Sequence, residues 1–165
     1  MQERDKSCSG TLWSTAHEFY EVANLVIKNK PPQMHYPIVE YSLICHSIEA
    51  SLKGFLRAKG YTIRQLRDIG HDLERALNTA RAEGIESYCR LSADFLRDLA
   101  TANFSYKHKD FDYLLSGTVS LPKDAELLLS GAGLLVLKLR QFCVEKMYEH
   151  DGKESAHDPA AQTQP

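Results

Sequence analysis

Residues 102–113, Ala-Asn-Phe-Ser-Tyr-Lys-His-Lys-Asp-Phe-Asp-Tyr, gather one histidine, two lysines and four aromatic rings into a single short polar stretch. Histidine is the side chain that exchanges a proton near neutral pH, so His108 is the candidate acid or base. Lys107 and Lys109 are candidates to hold a phosphate. Tyr106 and the neighbouring rings offer faces for stacking a base. Together these groups suggest nucleotide or RNA chemistry. Each also has a plainer reading: a surface loop histidine, lysines on a solvated edge, and aromatics that anchor a loop onto the body of the protein.

Two further clusters border on chemistry. Glu49 and Lys53 stand four residues apart, the spacing of an ion pair along one helix face. His46 and Glu49, three apart, have the spacing of half a helical metal site. The second half is missing from the sequence, so no metal and no other cofactor is expected. Asp72 suits a helix N-terminus, where a carboxylate is favourable, and His71 beside it reads as a hydrogen-bonded bridge between helices.

The elements that must position these residues follow from periodicity and punctuation. Leu12, Ala16, Phe19, Ala23, Val26 and Ile27 recur at helical steps, and Pro31-Pro32 ends that helix. From near Pro37, Ile38, Tyr41, Cys45, Ile48, Leu52, Phe55 and Leu56 form one stripe, closed by Gly60. Thr62 caps a short turn, a third helix carries Leu73, Leu77 and Ala80 up to Gly84, and a fourth is expected over residues 85–102. Residues 103–120 read as a long loop, of a length that often carries function. A last helix starts near Leu121-Pro122 and is apolar on more than one face, from Leu127 to Met147, as a central or subunit-shared helix would be. Gly131 and Gly133 inside it suggest the close approach of another backbone.

Period-two alternation is absent, so the expected architecture is all-α: a bundle of about five helices with an up-down core and no sheet. Residues 1–10 read as a flexible leader, 11–150 as one helical domain and 151–165 as a disordered tail. The 165 residues are enough for a core without disulfides. Cys45, Cys89 and Cys143 read as small core hydrophobes in a reducing cytoplasm. No uninterrupted apolar run approaches the roughly 20 residues of a membrane span, so no membrane association is expected. A net charge of -2 excludes a protein that coats nucleic acid through a global positive field, though not local recognition.

The run His46-Ser47-Ile48-Glu49-Ala50-Ser51-Leu52-Lys53-Gly54-Phe55-Leu56, then Gly60, then Gly70-His71-Asp72-Leu73, resembles the helical core of HEPN domains over roughly residues 12–148. Many members of that family are metal-independent ribonucleases with an Arg-x4-6-His motif, and they commonly dimerise so that two motifs face each other. The matching segment is Ala102 to His108. Asn103 and His108 stand where the family has its polar residue and histidine, and Ala102 replaces the arginine; the resemblance implies that Asn103 orients the histidine or the phosphate and that Glu49 and Lys53 border the site. Cleavage needs a proton acceptor and positive charge on the phosphorane, and alanine supplies no charge. Arg97, eleven positions before His108, lies more than a turn from the required place. The resemblance therefore implies a homodimer through the last helix that binds RNA or a nucleotide phosphate, with ribonuclease activity weak or decayed. The alternative is a non-enzymatic dimerisation or partner-binding module of a defence or toxin–antitoxin system, engaging an antitoxin-like partner.

Overall fold

The computed structural model describes residues 8–30, 37–113 and 119–155. Its helices are α1 (Ser9–Lys28), α2 (Ile38–Ala58), α3 (Ile63–Ile69), α4 (Leu73–Ala82), α5 (Ala93–Lys107), α6 (Asp110–Tyr113) and α7 (Ala125–Ser155), with a 3₁₀ turn at Ile85–Ser87. Among the described residues there is no strand, and the all-α bundle stands. Its body is α1, α2, α4, α5 and α7, while α3 and α6 are short connectors.

Local chemistry sets the helix starts. The Cys8 sulfur accepts from Thr11 N, Thr62 and Gln65 form a reciprocal capping box, and Asp72 accepts from Arg75 N. Ser92 accepts from Phe95 N and Asp124 from Glu126 N, each satisfying an amide that has no partner inside its helix. Ser92 explains why the fourth helix is shorter at its start than its periodicity predicts. The chain makes the 3₁₀ turn, breaks, and is capped afresh.

Register follows from bonds that cross between helices. Ser47 Oγ donates to Ala16 O at 2.8 Å, and Gly54 lies against Ser9 and Trp13, so α1 and α2 run antiparallel. Ser9 Oγ donates to Cys143 O at 2.7 Å and Trp13 Nε1 to Val136 O at 2.8 Å, so α7 is antiparallel to α1 as well. Tyr41 Oη donates to Pro122 O at 2.7 Å and ties the approach to α7 onto the start of α2. The core between them holds Ile44, Ile48, Leu52, Phe55, Leu128, Leu135 and Leu139, all fully buried. Cys45, Cys89 and Cys143 join it as small apolar groups. Burial pushes the Cys143 thiol up to about 12, which leaves no reactive thiolate there at neutral pH.

Several boundaries differ from the sequence expectation. Ser9 and Gly10, assigned to the leader, are helical and buried, because α1 needs its first turn to pack on α7; residues 1–7 lie outside the described residues. At the other end α7 continues through Ser155, five residues into the expected tail, and 156–165 lie outside the described residues. Helix α7 begins at Ala125, three residues after Pro122, and not near Leu121-Pro122. The stretch from Ala125 to Met147 forms 23 residues long and apolar enough to cross a membrane by length and composition, contrary to the expectation from uninterrupted runs. Here it packs against α1 and α2, as the core helix of a bundle also would.

Gly131 and Gly133 admit rings instead of a backbone. A Cβ on Gly133 would stand 2.8 Å from Tyr20 Cε2, and one on Gly131 would overlap the Phe95 ring. The backbone approach occurs at Gly54, where a Cβ would meet Ser9 O and Trp13 N at 3.4 Å. Gly131→Ala should therefore lower stability, because overpacking costs about 1–3 kcal/mol and the gain in helix propensity is about 1 kcal/mol at most. Urea unfolding checks this. In a Phe95→Leu background the same substitution should become neutral or stabilising.

Candidate functional site

The residues singled out by sequence converge on one face, where α2, the α3–α4 junction and α5 meet. Helix α2 turns Glu49 inward and places Lys53 one turn on, and the junction supplies Gly70, His71 and Asp72. Gly70 has φ +67°, a left-handed conformation that admits glycine without strain, and this reversal aims the next two residues back at α2 and α5. Helix α5 contributes Asn103, Tyr106 and Lys107.

At the centre lies the Glu49 carboxylate, 8% exposed. Oε1 accepts from Lys53 Nζ at 2.5 Å, and Oε2 accepts from Tyr106 Oη at 2.5 Å and from His71 Nδ1 at 3.0 Å. Lys53 Nζ also donates to Gly70 O at 2.8 Å, so the same ammonium holds the junction backbone. Burial alone would push the Glu49 carboxyl up; the hydrogen bonds from Lys53, Tyr106 and His71 and the Lys53 charge outweigh it and hold the group below its ordinary 4.5.

A second layer lies toward α4. Asn103 is fully buried; its Oδ1 accepts from Leu73 N at 2.8 Å and its Nδ2 donates to Asp72 Oδ1 and Glu74 Oε2, each at 3.0 Å. Asp72 is thus cap and acceptor at once. Burial would raise its carboxyl, but the Arg75 amide, the Asn103 side chain and the Lys107 charge hold it low. Lys107 Nζ reaches Asp72 Oδ2 at 3.9 Å.

The stretch expected to be a loop is helical through Lys107. Phe95, Leu99, Ala102 and Tyr106 continue one buried stripe at three- and four-residue steps, and that periodicity was masked by polar neighbours. Helical winding divides the segment. Asn103 and Tyr106 turn inward, whereas Phe104, Lys107, His108 and Lys109 stay exposed. His108 is the C-cap; its Nδ1 bonds Phe104 O at 2.6 Å and its ring stands edge-on to Phe104 at 5.5 Å. Lys109 takes φ +60°, the reversal that starts α6.

Asn103 and His108, expected to act together, point to different places: one into the core, one to solvent. Ala102 is also fully buried, so a side chain there cannot reach a ligand on the surface. Arg97 forms ion pairs with Asp94 at 2.8 Å and Asp98 at 3.2 Å. Glu49 and Lys53 pair as their spacing predicts, and His71 bridges α2 and the junction as expected. His46 bonds Ser42 O at 2.7 Å and stacks on Phe19, and among the described residues no group of three or more His, Cys, Asp or Glu side chains could hold a metal. Sequence reasoning missed that His71 is half-exposed and meets Glu49 and Tyr106 together; the signal available was the Gly70 reversal directly before it.

A separate open groove of about 780 Å³ runs between α1 and α7, lined by Trp13, Tyr20, Phe95, Leu134, Leu137 and Arg140. No protein-family model, curated protein or solved structure matches this chain.

Asn103→Ala should cost about 1–3 kcal/mol, because it strands the Leu73 amide and takes one donor from each of the Asp72 and Glu74 carboxylates. Ala102→Arg should unfold the chain rather than arm the site, since it buries an unpaired cation. Circular dichroism during thermal melting separates both from wild type. Because the folded Glu49 carboxyl lies below its ordinary 4.5, its contribution to stability is complete above that pH and is lost as pH falls through the lower folded value. The stability difference between wild type and Glu49→Gln should accordingly shrink on acidification below 4.5, measured by urea unfolding across pH.

Proposed function

We propose that the chain is a HEPN-like domain that dimerises and binds RNA or a nucleotide phosphate on the exposed edge at the end of α5. The observation that carries this reading is Phe104, a ring 54% exposed, standing beside His108 with Lys107 and Lys109 adjoining. A large aromatic left in water has a reason to be there if a base stacks on it, an interaction worth about 1–3 kcal/mol per base. Adjoining cations attract the phosphate, and their contribution weakens with salt. Lys107 and Lys109 put two cations on this edge of a chain whose net charge is -2, one of them 3.9 Å from Asp72. The burial of Ala102 and Asn103 supports binding over cleavage by the arginine–histidine constellation, which this chain does not assemble.

The second reading, a dimerisation or partner-binding module, is favoured by the groove beside α7. Leu137 on its rim is 69% exposed, and the Gly131 and Gly133 surfaces keep the groove open to the rings of Phe95 and Tyr20. A homodimer through α7 would cover Leu137. An antitoxin-like partner would use the same surface.

Fluorescence anisotropy with a labelled single-stranded oligonucleotide at low salt tests the first reading. Phe104→Ala and the pair Lys107→Ala/Lys109→Ala should each weaken binding about tenfold or more, the lysine pair also flattening the salt dependence. Equal affinity in all variants would refute it. Leu137→Glu should shift the protein to monomer in sedimentation velocity, and a wild type already monomeric at micromolar concentration would exclude the dimer.

A further inference from the structure

The groove beside α7 has a direction. Tyr88 packs against Phe142 with ring centroids 4.8 Å apart, and Phe95 lies against Gly131, so the chain from Tyr88 to Phe95 runs antiparallel to α7 along one wall. Helix α1 forms the other wall in the same sense, with Trp13 bonded to Val136 O and Tyr20 against Gly133. Arg90 and Arg140 therefore stand at one end of the groove, the end that holds Trp13. Glu21, with His17 Nε2 3.6 Å away, follows Tyr20 toward the other end.

Between its ends the groove is apolar. Leu127, Leu134 and Leu137 line it at helical steps along α7, and the rings of Tyr20 and Phe95 close in over the two glycines. The lined stretch of α7, from Leu127 to Arg140, is about 20 Å long at the rise of an α-helix. Its volume of about 780 Å³ falls within the range of small-molecule clefts, about 300–1,000 Å³. Neither guanidinium has a carboxylate partner among the described residues: Arg140 lies over the Trp13 ring at 5.7 Å, and Arg90 is exposed. A guanidinium is a planar fork of donors that matches a carboxylate.

We propose that this groove binds a long-chain carboxylate, with the acyl chain along Leu127, Leu134 and Leu137 and the carboxylate on Arg90 and Arg140. Shape and charge select this class together. A cleft that follows one helix axis suits an extended chain. Two cations at one end, with an acid toward the other, fix which way that chain points. Covering Leu137, 69% exposed, contributes the apolar gain, and the guanidiniums set the orientation. This occupant is distinct from the second copy or partner protein considered above, although it covers the same strip of α7, and it is independent of the oligonucleotide reading at the end of α5.

Trp13 is the single tryptophan of the chain and stands at the cationic end, so its emission reports on the head of a bound ligand. The full chain is titrated with laurate below its micelle concentration, following Trp13 emission and, by calorimetry, the heat of binding. Wild type should show saturable binding of one laurate per chain. Dodecyltrimethylammonium carries a saturated chain of the same length and the opposite charge, and it should bind far more weakly. Arg90→Gln/Arg140→Gln, which changes two exposed side chains, should weaken laurate binding by about tenfold or more, the scale of a lost charge-assisted hydrogen bond. Leu137→Gln should weaken it as well, through the chain. No saturable binding, equal affinity for the two amphiphiles, or an Arg90→Gln/Arg140→Gln protein that binds laurate as wild type does each overturns the proposal. Sedimentation velocity on the same samples separates the rival occupant: a wild type that is dimeric and takes up no laurate has its groove covered by a second copy, which overturns the proposal while upholding the dimer.

Discussion

Everything on the polar face of this bundle depends on the enclosure of one carboxylate. A buried charge is costly unless each oxygen finds donors, and Glu49 finds them on three separate elements: Lys53 on its own helix, His71 at the α3–α4 junction and Tyr106 on α5. Removing any donor leaves the charge less compensated, so these elements are bound into one unit. The junction cannot drift from α2 without breaking both the Lys53 contact to Gly70 and the His71 contact to Glu49. Asn103 repeats the logic one layer out, joining α5 to the N-terminus of α4 through a side chain with no exposure at all.

The opposite side of the bundle is governed by shape. Helix α7 is apolar around more of its circumference than α1 and α2 can cover, and its two glycines leave room for Phe95 and Tyr20 to lie against its backbone. Overlap forbids side chains there, so the same feature that seats those rings also shapes the groove between α1 and α7. The two faces are chemically distinct. One holds a charge network with an exposed imidazole, and the other offers apolar surface beside Leu137.

Between them, α5 assigns roles by its winding. Asn103 and His108 are five residues apart, a step that turns a helix by well over a full turn and sends the two side chains in different directions. Their separation weakens the arginine–histidine constellation as an account of this chain. The basic and aromatic edge that remains, Phe104 with Lys107, His108 and Lys109, lies next to the junction that carries His71.

The sequence by itself determined the helical class, the order of the long helices and the caps at Thr62 and Asp72, because these depend on local periodicity and on side chains that bond amides two or three residues away. Thr62, Asp72 and the Glu49–Lys53 pair were legible for that reason. Residues 103–107 were misread as loop because their polar composition hid a stripe whose meaning depends on what α5 packs against. Only the tertiary structure decided that Asn103 is buried, that Gly131 and Gly133 face rings, and that His71 and Tyr106 share the carboxylate of Glu49. Those contacts join residues 22 and 57 positions apart. No spacing rule reaches that far, since the pairing is set by how whole helices enclose one charge.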